Sequence, residues 1–337
     1  MKAAFSKHNN EKMEAIMKKD LRFQKDGTFK VIQFTDTHWQ NGLENDQKTL
    51  RLIERILDME RPDFVTFTGD NLYIGSRNNP SKQAKADPLS ECRKLFAPVI
   101  EREIPWAFVF GNHDVENLDI SREGMMKAMM EYESCYSEIG PMDIGGVGNF
   151  IIQIKGSKDN RNAGLLYFFD SGADSDLPTG GYAYITHNQI QWYLEQSNKL
   201  TQENEGKPLP ALAFFHIPLP EYNEVWDYQP CYGEKNEKVC APKINTGLFS
   251  AMLISGDIMG IFVGHDHTND YYGDLYGIRL CYGRGSGYGG YGKEDFLRGA
   301  RVIEMMEGKN DFNTWIRLGD GTLIDKPKVH EPTGYDS

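Results

Sequence analysis

Residues 260–270, GIFVGHDHTND, place two histidines either side of an aspartate directly after a short apolar run. An apolar run of this length, closed by glycine and polar residues, reads as the end of a buried strand. If the strand geometry continues, His265 and His267 lie on the same side, about 6.6 Å apart along the chain. That is wide for one small ion and suits two ions side by side, since paired hydrolytic metals sit roughly 3.5–4 Å apart. The remaining ligands must then come from elsewhere in the chain.

The same arrangement recurs along the sequence. FKVIQF precedes Thr35-Asp36-Thr37-His38, DFVTF precedes Thr68-Gly69-Asp70-Asn71, and WAFVF precedes Gly111-Asn112-His113-Asp114. LLYFF precedes Asp170-Ser171, and ALAFF precedes His216. Between these runs lie helical patterns. In DQKTLRLIERILDMERPD, residues 46–63, Leu50, Ile53, Ile56 and Leu57 share a face and Pro62 ends the turn. Further helices are expected over roughly 89–101, 121–137, 186–200 and 246–256. The second of these carries Met125, Met126, Met129 and Met130, a spacing that reads as core packing. Alternating strands and helices predict an α/β fold with ligands gathered at the carboxyl ends of strands. After residue 270 the chain reads as hairpins with Gly-rich connections. YGRGSGYGGYGK contains no phosphate-loop pattern of glycine followed by Lys and Ser or Thr. One domain over residues 28–320 is expected, with an N-terminal extension (1–27) and a C-terminal tail (321–337).

Composition narrows the function. The 337-residue chain is 39% apolar and carries 49 acidic against 37 basic side chains, a net charge of −12. A surface this acidic argues against nucleic-acid or anionic-membrane partners. No apolar stretch approaches a membrane span, and the first twenty residues carry scattered charges without an apolar block, so a cytoplasmic location is expected. Five cysteines without a CxxC pair suit a reducing compartment. Cys231 and Cys240 are placed either to pair across a loop or to stay free, whereas Cys92, Cys135 and Cys281 read as core residues. Nothing in the sequence sets an oligomeric state.

Asp36, His38, Asp70, Asn112, His216, His265 and His267 all follow separate or shared apolar runs. Scattered surface residues would not do so. Oxygen and imidazole donors without thiolate suit Mn, Fe or Zn. His113 adjoins Asn112 on the opposite side of the chain and is a candidate general acid, with neighbouring Asp114 to orient its ring and raise its pKa.

The ordered series Asp-x-His (36–38), Gly-Asp-Asn (69–71), Gly-Asn-His-Asp (111–114), His216 and Gly-His-x-His (264–267) resembles the calcineurin-like metallophosphoesterase superfamily. FFHIPLPE, GHDHTND and the stretch from YGRGSGYGGYGK to GARVIE resemble its subgroup of small purple-acid-phosphatase-like plant proteins and a fungal phosphoprotein phosphatase. The resemblance implies a four-layer α/β/β/α sandwich of two mixed sheets flanked by helices. It also implies two metal ions, one held by Asp36, His38 and His267 and one by Asn112, His216 and His265, with Asp70 bridging. The expected function is a dinuclear metal-dependent phosphoesterase, most simply a phosphomonoesterase. In it a metal-bound hydroxide attacks phosphorus directly and His113 protonates the leaving group. The alternatives are a phosphodiesterase acting on nucleotides or lipid head groups and a non-catalytic metal-binding scaffold. Arg284, Tyr288 and Tyr291 are candidates for contacting the phosphate-ester substrate, and Arg122 is either a phosphate partner or a salt-bridge residue. Asn71 and Asn269 are candidates to support the ligands, and Asp266 is read as structural. Tyr73 stands where purple acid phosphatases place a metal-bound tyrosine. Those enzymes have Asp-x-Gly where this chain has His38, so Tyr73 is expected to form pocket wall instead.

Overall fold

The computed structural model describes residues 18–75 and 87–332. Along the chain the elements are β1 (Leu21–Arg22), β2 (Thr28–Phe34), α1 (Glu44–Glu60), β3 (Phe64–Thr68), α2 (Pro88–Glu101), β4 (Trp106–Val109), α3 (Arg122–Met129), β5 (Phe150–Lys155), β6 (Asn162–Phe168), α4 (His187–Glu203), β7 (Ala211–Phe214), α5 (Glu221–Tyr228), β8 (Cys231–Tyr232), α6 (Leu248–Ser255), β9 (Ile258–Val263), β10 (Tyr272–Leu275), β11 (Ile278–Tyr282), β12 (Gly299–Met306), β13 (Phe312–Leu318), β14 (Leu323–Ile324) and β15 (Val329–His330).

The strands form two mixed sheets. One has the order β14-β13-β12-β2-β3-β4, with β2, β3 and β4 parallel and β12 antiparallel to β2. The other has the order β1-β5-β6-β7-β9-β11-β10-β8-β15, with β6, β7, β9 and β11 parallel. The apolar runs are continuous rather than alternating because both faces of each central strand are covered. Along β4, Ala107 and Val109 enter the cluster between the sheets, while Trp106 and Phe108 face α1, α2 and α3. Along β6, Leu166 and Phe168 face the other sheet, while Leu165 and Tyr167 pack with residues of α4, α5 and α6. The result is the α/β/β/α sandwich expected from the sequence.

Two features differ from the expectation. The helix expected over 121–137 stops at Met129, because the chain turns back to cover the free edge of β4, with Tyr136 N–H donating to Trp106 O at 2.7 Å. Met125, Met126 and Met129 are buried in the core, as their spacing predicts. The sheets also extend past the expected 28–320 span: β1 pairs with β5, β14 with β13 and β15 with β8. Two-residue strands are too short to show a period in sequence. Residues 1–17 of the expected extension and 333–337 of the expected tail lie outside the described residues. No helix among the described residues is long and apolar enough to cross a membrane.

Arg301 of β12 ties the two sheets together. It is 1% exposed, and its guanidinium donates to Tyr282 O at 2.6 Å, Thr314 Oγ1 at 3.0 Å and Asp270 O. Arg301→Met would strand those acceptors. It should lower unfolding free energy by about 2–4 kcal/mol, the range for leaving several buried polar groups unpaired, measured by urea denaturation.

Candidate metal centre

Every candidate ligand follows the carboxyl end of a parallel strand by two to four residues. Asp36 and His38 follow β2, Asp70 follows β3, Asn112 follows β4, His216 follows β7, and His265 and His267 follow β9. Seven side chains from two sheets converge only if the backbone folds sharply at each strand end. Asp36 (φ 53°), His38 (φ 44°), Asp70 (φ 48°) and His265 (φ 76°) all occupy the left-handed region. Each such residue costs roughly 1–2 kcal/mol relative to ordinary backbone. Strain of this kind clusters at functional sites. The glycines before the ligands have a packing reason: a Cβ on Gly111 would sit 2.2 Å from Asp70 Oδ1, and one on Gly264 would sit 2.7 Å from Asp36 Oδ2. From the other side the Gly-rich loop closes in, and a Cβ on Gly290 would meet the rings of His267 at 2.6 Å and His38 at 2.9 Å.

The side chains fall into two groups that share one carboxylate. Asp36, His38, Asp70 and His267 offer ligand atoms all within 4.8 Å of one another, and so do Asp70, His216 and His265. Asn112 Oδ1 joins the second group, 3.2 Å from His216 Nε2. His265 and His267 therefore belong to different groups, as the two-ion reading requires. Their separation does not come from a strand pleat. β9 has ended, and a tight turn closed by Asp266 N–H donating to Gly264 O at 3.0 Å aims the two rings apart.

Backbone carbonyls set two of the ring tautomers. His216 Nδ1 donates to Thr68 O at 2.8 Å and His267 Nδ1 donates to Tyr291 O at 2.9 Å, so in their neutral forms both rings present a bare Nε2 lone pair inward. His216 Nε2 faces Asp70 Oδ2 at 3.3 Å, and His267 Nε2 faces Asp36 Oδ1 at 3.5 Å and His38 Nε2 at 2.9 Å. Lone pairs facing lone pairs in a buried site call for a shared cation. The donors fit ions of the Mn, Fe and Zn type: carboxylate, imidazole and amide oxygen in two adjacent sets, without thiolate.

The titration pattern of the ion-free site agrees. Burial holds the His38 imidazole well below its ordinary value, and burial together with neighbouring His216 lowers His265 to about 3. Burial likewise lowers His267, to about 4. Burial, helped by Asp70, raises Asp36 to about 7. Burial also opposes charge at His216, but the Asp70 carboxylate beside it prevails and carries that imidazole up to about 9.

Around the ligands the structure redistributes several expected roles. His113 and His38 rings lie 5.7 Å apart on one cavity. The His113 ring is held not by Asp114 but by Glu116, whose Oε2 lies 2.7 Å from Nδ1. Asp114 is fully buried and accepts from Leu72 N–H at 2.9 Å and Gly111 N–H at 2.6 Å. It thus ties the ligand loops together, its carboxyl raised to about 6 by burial and Asp70. The spacing of three residues from His113 to Glu116, one helical turn, was the available signal.

Arg284 does not reach the cavity. It is 3% exposed, pairs with Asp270 Oδ2 at 2.6 Å and lies over the Phe296 ring. Tyr288 packs towards α1, its N–H donating to Thr49 Oγ1 at 3.1 Å. Arg122 is engaged by Asp170 and by Gly111 O at 2.8 Å. Tyr291 does line the cavity, as do Tyr73, Tyr182 and Cys240, the last two without a motif to announce them. Tyr73 stands edge-on to His38 at 4.8 Å and to His113 at 5.1 Å, forming wall between them. Asn71 donates to Val109 O at 3.0 Å, Asn269 Oδ1 accepts from Asn236 N–H at 2.9 Å, and Asp266 accepts from Tyr282 OH at 2.6 Å. Cys231 and Cys240 are both free thiols. Cys231 is held in the core, with Sγ donating to Val225 O at 3.4 Å, which separates it from the cavity.

Two outcomes are expected in metal binding. Asp70→Ala should lower ion content at both positions, whereas Asn112→Ala should deplete only one, read by elemental analysis after Mn²⁺ loading. Because His216 is protonated below about 9 and must lose that proton to act as a ligand, affinity should rise with pH up to that value. Loading at pH 8, above the Asp36 value of about 7, should release about one proton per chain, read with an indicator dye in weak buffer.

Comparison with known proteins agrees with this geometry. The chain is 35% identical to "Probable inactive purple acid phosphatase 29" of Arabidopsis thaliana, covering 91% of this chain and 86% of that protein. It is 34% identical to Phosphatase DCR2 of Saccharomyces cerevisiae, covering 87% of this chain and 54% of the yeast protein. A dimetal phosphatase from Danio rerio shares the fold, with a TM-score of 0.54 at 13% identity over 85% of this chain and 98% of that one. A model of the family described as calcineurin-like phosphoesterase matches residues 29–269, from β2 through the last of the seven ligand candidates. The chain belongs to the calcineurin-like phosphoesterase family.

Proposed function

We propose that this phosphoesterase is a dinuclear metal-dependent phosphomonoesterase that cleaves its substrate by direct attack of water, with His113 as the general acid. The observation that carries the reading is the shared cavity. The two ligand groups, joined through Asp70, and the Glu116-held ring of His113 open into one space of about 360 Å³. When bound, two ions of the Mn, Fe or Zn type supply charge neutralisation for the phosphoryl oxygens and activate water.

The protein's own groups do the rest. Asp36, His38 and His267 would hold one ion, Asn112, His216 and His265 the other, and Asp70 both. Glu116 takes the Nδ1 proton of His113 in a hydrogen bond, which leaves Nε2 to deliver a proton to the departing oxygen. Tyr73, Tyr182 and Tyr291 wall the cavity with rings that limit water. A space of this size holds a phosphoryl group together with its leaving group. The net charge of −12 speaks against a nucleic-acid substrate.

The name of the plant relative raises the scaffold reading. Loss of ligands would favour that reading, and this chain keeps all seven together with His113. The test is turnover of Mn²⁺-loaded protein on an alkyl and an aryl phosphate monoester. His113→Ala should slow the alkyl substrate by about 10²–10⁴ and the aryl substrate far less, because only the poor leaving group needs a proton. Glu116→Ala should give a smaller loss with the same bias. Equal losses on both substrates would remove His113 from the acid role, and absence of turnover in the unmodified, metal-loaded protein would favour the scaffold.

A further inference from the structure

At the cavity mouth, a residue outside both ligand groups is held firmly against one of them. Tyr291 is 56% exposed, yet three separate contacts fix it. Its ring stacks on His267 with centroids 3.9 Å apart and planes 12° from parallel. Its carbonyl accepts the Nδ1 proton of His267 at 2.9 Å and a proton from Arg298. Its hydroxyl donates to Glu237 Oε2 at 2.7 Å.

Glu237 is itself anchored beside the same ligand. Its other oxygen accepts from Thr268 N–H at 2.6 Å and Thr268 Oγ1 at 2.9 Å. Thr268 follows His267 in the chain, so His267, Thr268, Glu237 and Tyr291 form a closed circuit. The connection is reinforced outside the circuit, where Lys293 Nζ donates to Asn236 Oδ1 at 2.6 Å and Asn236 Nδ2 donates to Thr268 O at 3.0 Å. Two loops that are distant in sequence, 234–240 and 286–293, are thereby locked together over one histidine.

We propose that Tyr291 and Glu237 form a clasp that positions His267 and seats the Gly-rich loop on the His38–His267 side of the site. This rests on the two-ion reading of the site and adds a device to one half of it. The clasp acts through the ring and carbonyl of Tyr291. The carbonyl holds the His267 tautomer that presents Nε2 inward, the stacked ring prevents the imidazole from tilting, and the phenol–carboxylate bond keeps the loop from lifting away. Gly290 gives the loop its fit, because it lies against both rings where any side chain would collide. His216 has no such cover, since its Nδ1 donates to Thr68 O next to the end of β3, inside the sandwich. The two halves of the site therefore differ in how they are held: His216 by the sheet, His267 by a surface clasp.

The test uses the full chain in two backgrounds. Asn112→Ala leaves the Asp36–His38–Asp70–His267 group to bind Mn²⁺, and Asp36→Ala leaves the Asn112–His216–His265 group. In the first background Tyr291→Phe and Glu237→Ala should each weaken Mn²⁺ binding about tenfold, measured by chelator competition, the lower end for removing a partner that orients a ligand. Glu237→Gln keeps one acceptor oxygen, for the phenol or for Thr268 but not both, and should restore part of the affinity. The double variant should lose less than the sum of the two single losses, since both remove the phenol–carboxylate bond. In the second background affinity should not change. Equal weakening in both backgrounds, or none in the first, would overturn the clasp. Hydrogen exchange on ion-free protein supplies an independent readout. Tyr291→Phe should speed exchange in residues 286–293 and 234–240 and leave α1 unchanged, and unaltered exchange in those loops would also overturn it. Failure of the unsubstituted chain to bind Mn²⁺ would refute the two-ion reading instead, with hydrogen exchange still deciding the clasp.

Discussion

Asp70 is the group on which the arrangement depends. Its backbone is left-handed at φ 48°, and its carbonyl accepts from His38 N–H at 2.9 Å. Its Oδ1 accepts from His113 N–H at 2.9 Å, and its Oδ2 stands 3.3 Å from His216 and 3.5 Å from His38. Asp70 thus touches the His113 loop, both candidate ligand groups and the loop after β2. Although burial works against its charge, His216 and the other imidazoles hold its carboxyl well below the usual carboxylate range. An anion kept charged in a buried position by imidazoles that can give up their protons is a site prepared for cations.

That preparation governs the surrounding backbone. To bring Asp70 against Gly111 and Asp36 against Gly264, the loops must approach closer than any side chain allows, which accounts for the glycine that opens three of the motifs. The two sheets also meet at this edge. Gln33 of β2 donates to Val263 O of β9 at 3.0 Å, and Thr68 O of β3 accepts from His216, which follows β7. The ligand cluster therefore doubles as a cross-link between the sheets, and the cost of its left-handed residues is offset by the packing on both sides. Arg301 supplies a second tie, from β12 to the end of β11.

The roles that were misassigned share a physical cause. Asp114 adjoins His113 in sequence, but adjacent side chains on a turn point apart, and the residue one helical turn later, Glu116, meets the ring instead. Arg284 lies in a Gly-rich loop that reads as exposed, yet Asp270 and Phe296 draw it inward. Tyr182 and Cys240 reach the cavity from loops with no periodicity or spacing to mark them. Such placements depend on contacts between separate loops: Tyr182 stands edge-on to His265, and Cys240 N–H donates to Asp266 Oδ2.

What the sequence alone determined was the alternation of buried strands and helices and the set of Asp, Asn and His residues that gather at the strand ends. Apolar runs with no polar alternation read as strands covered on both faces, and Asp, Asn and His placed just beyond five of those runs meet where parallel strands end. Those are local properties, written in composition and spacing. The tertiary structure decided which residues support the ligands. Glu116 holds His113, Thr68 and Tyr291 supply the carbonyls that orient His216 and His267, and Glu237 closes over the cavity mouth. Glu116 lies three residues from His113, within reach of a local reading, but the other bonds join separate segments at distances of under 3 Å, and sequence spacing carries no record of them.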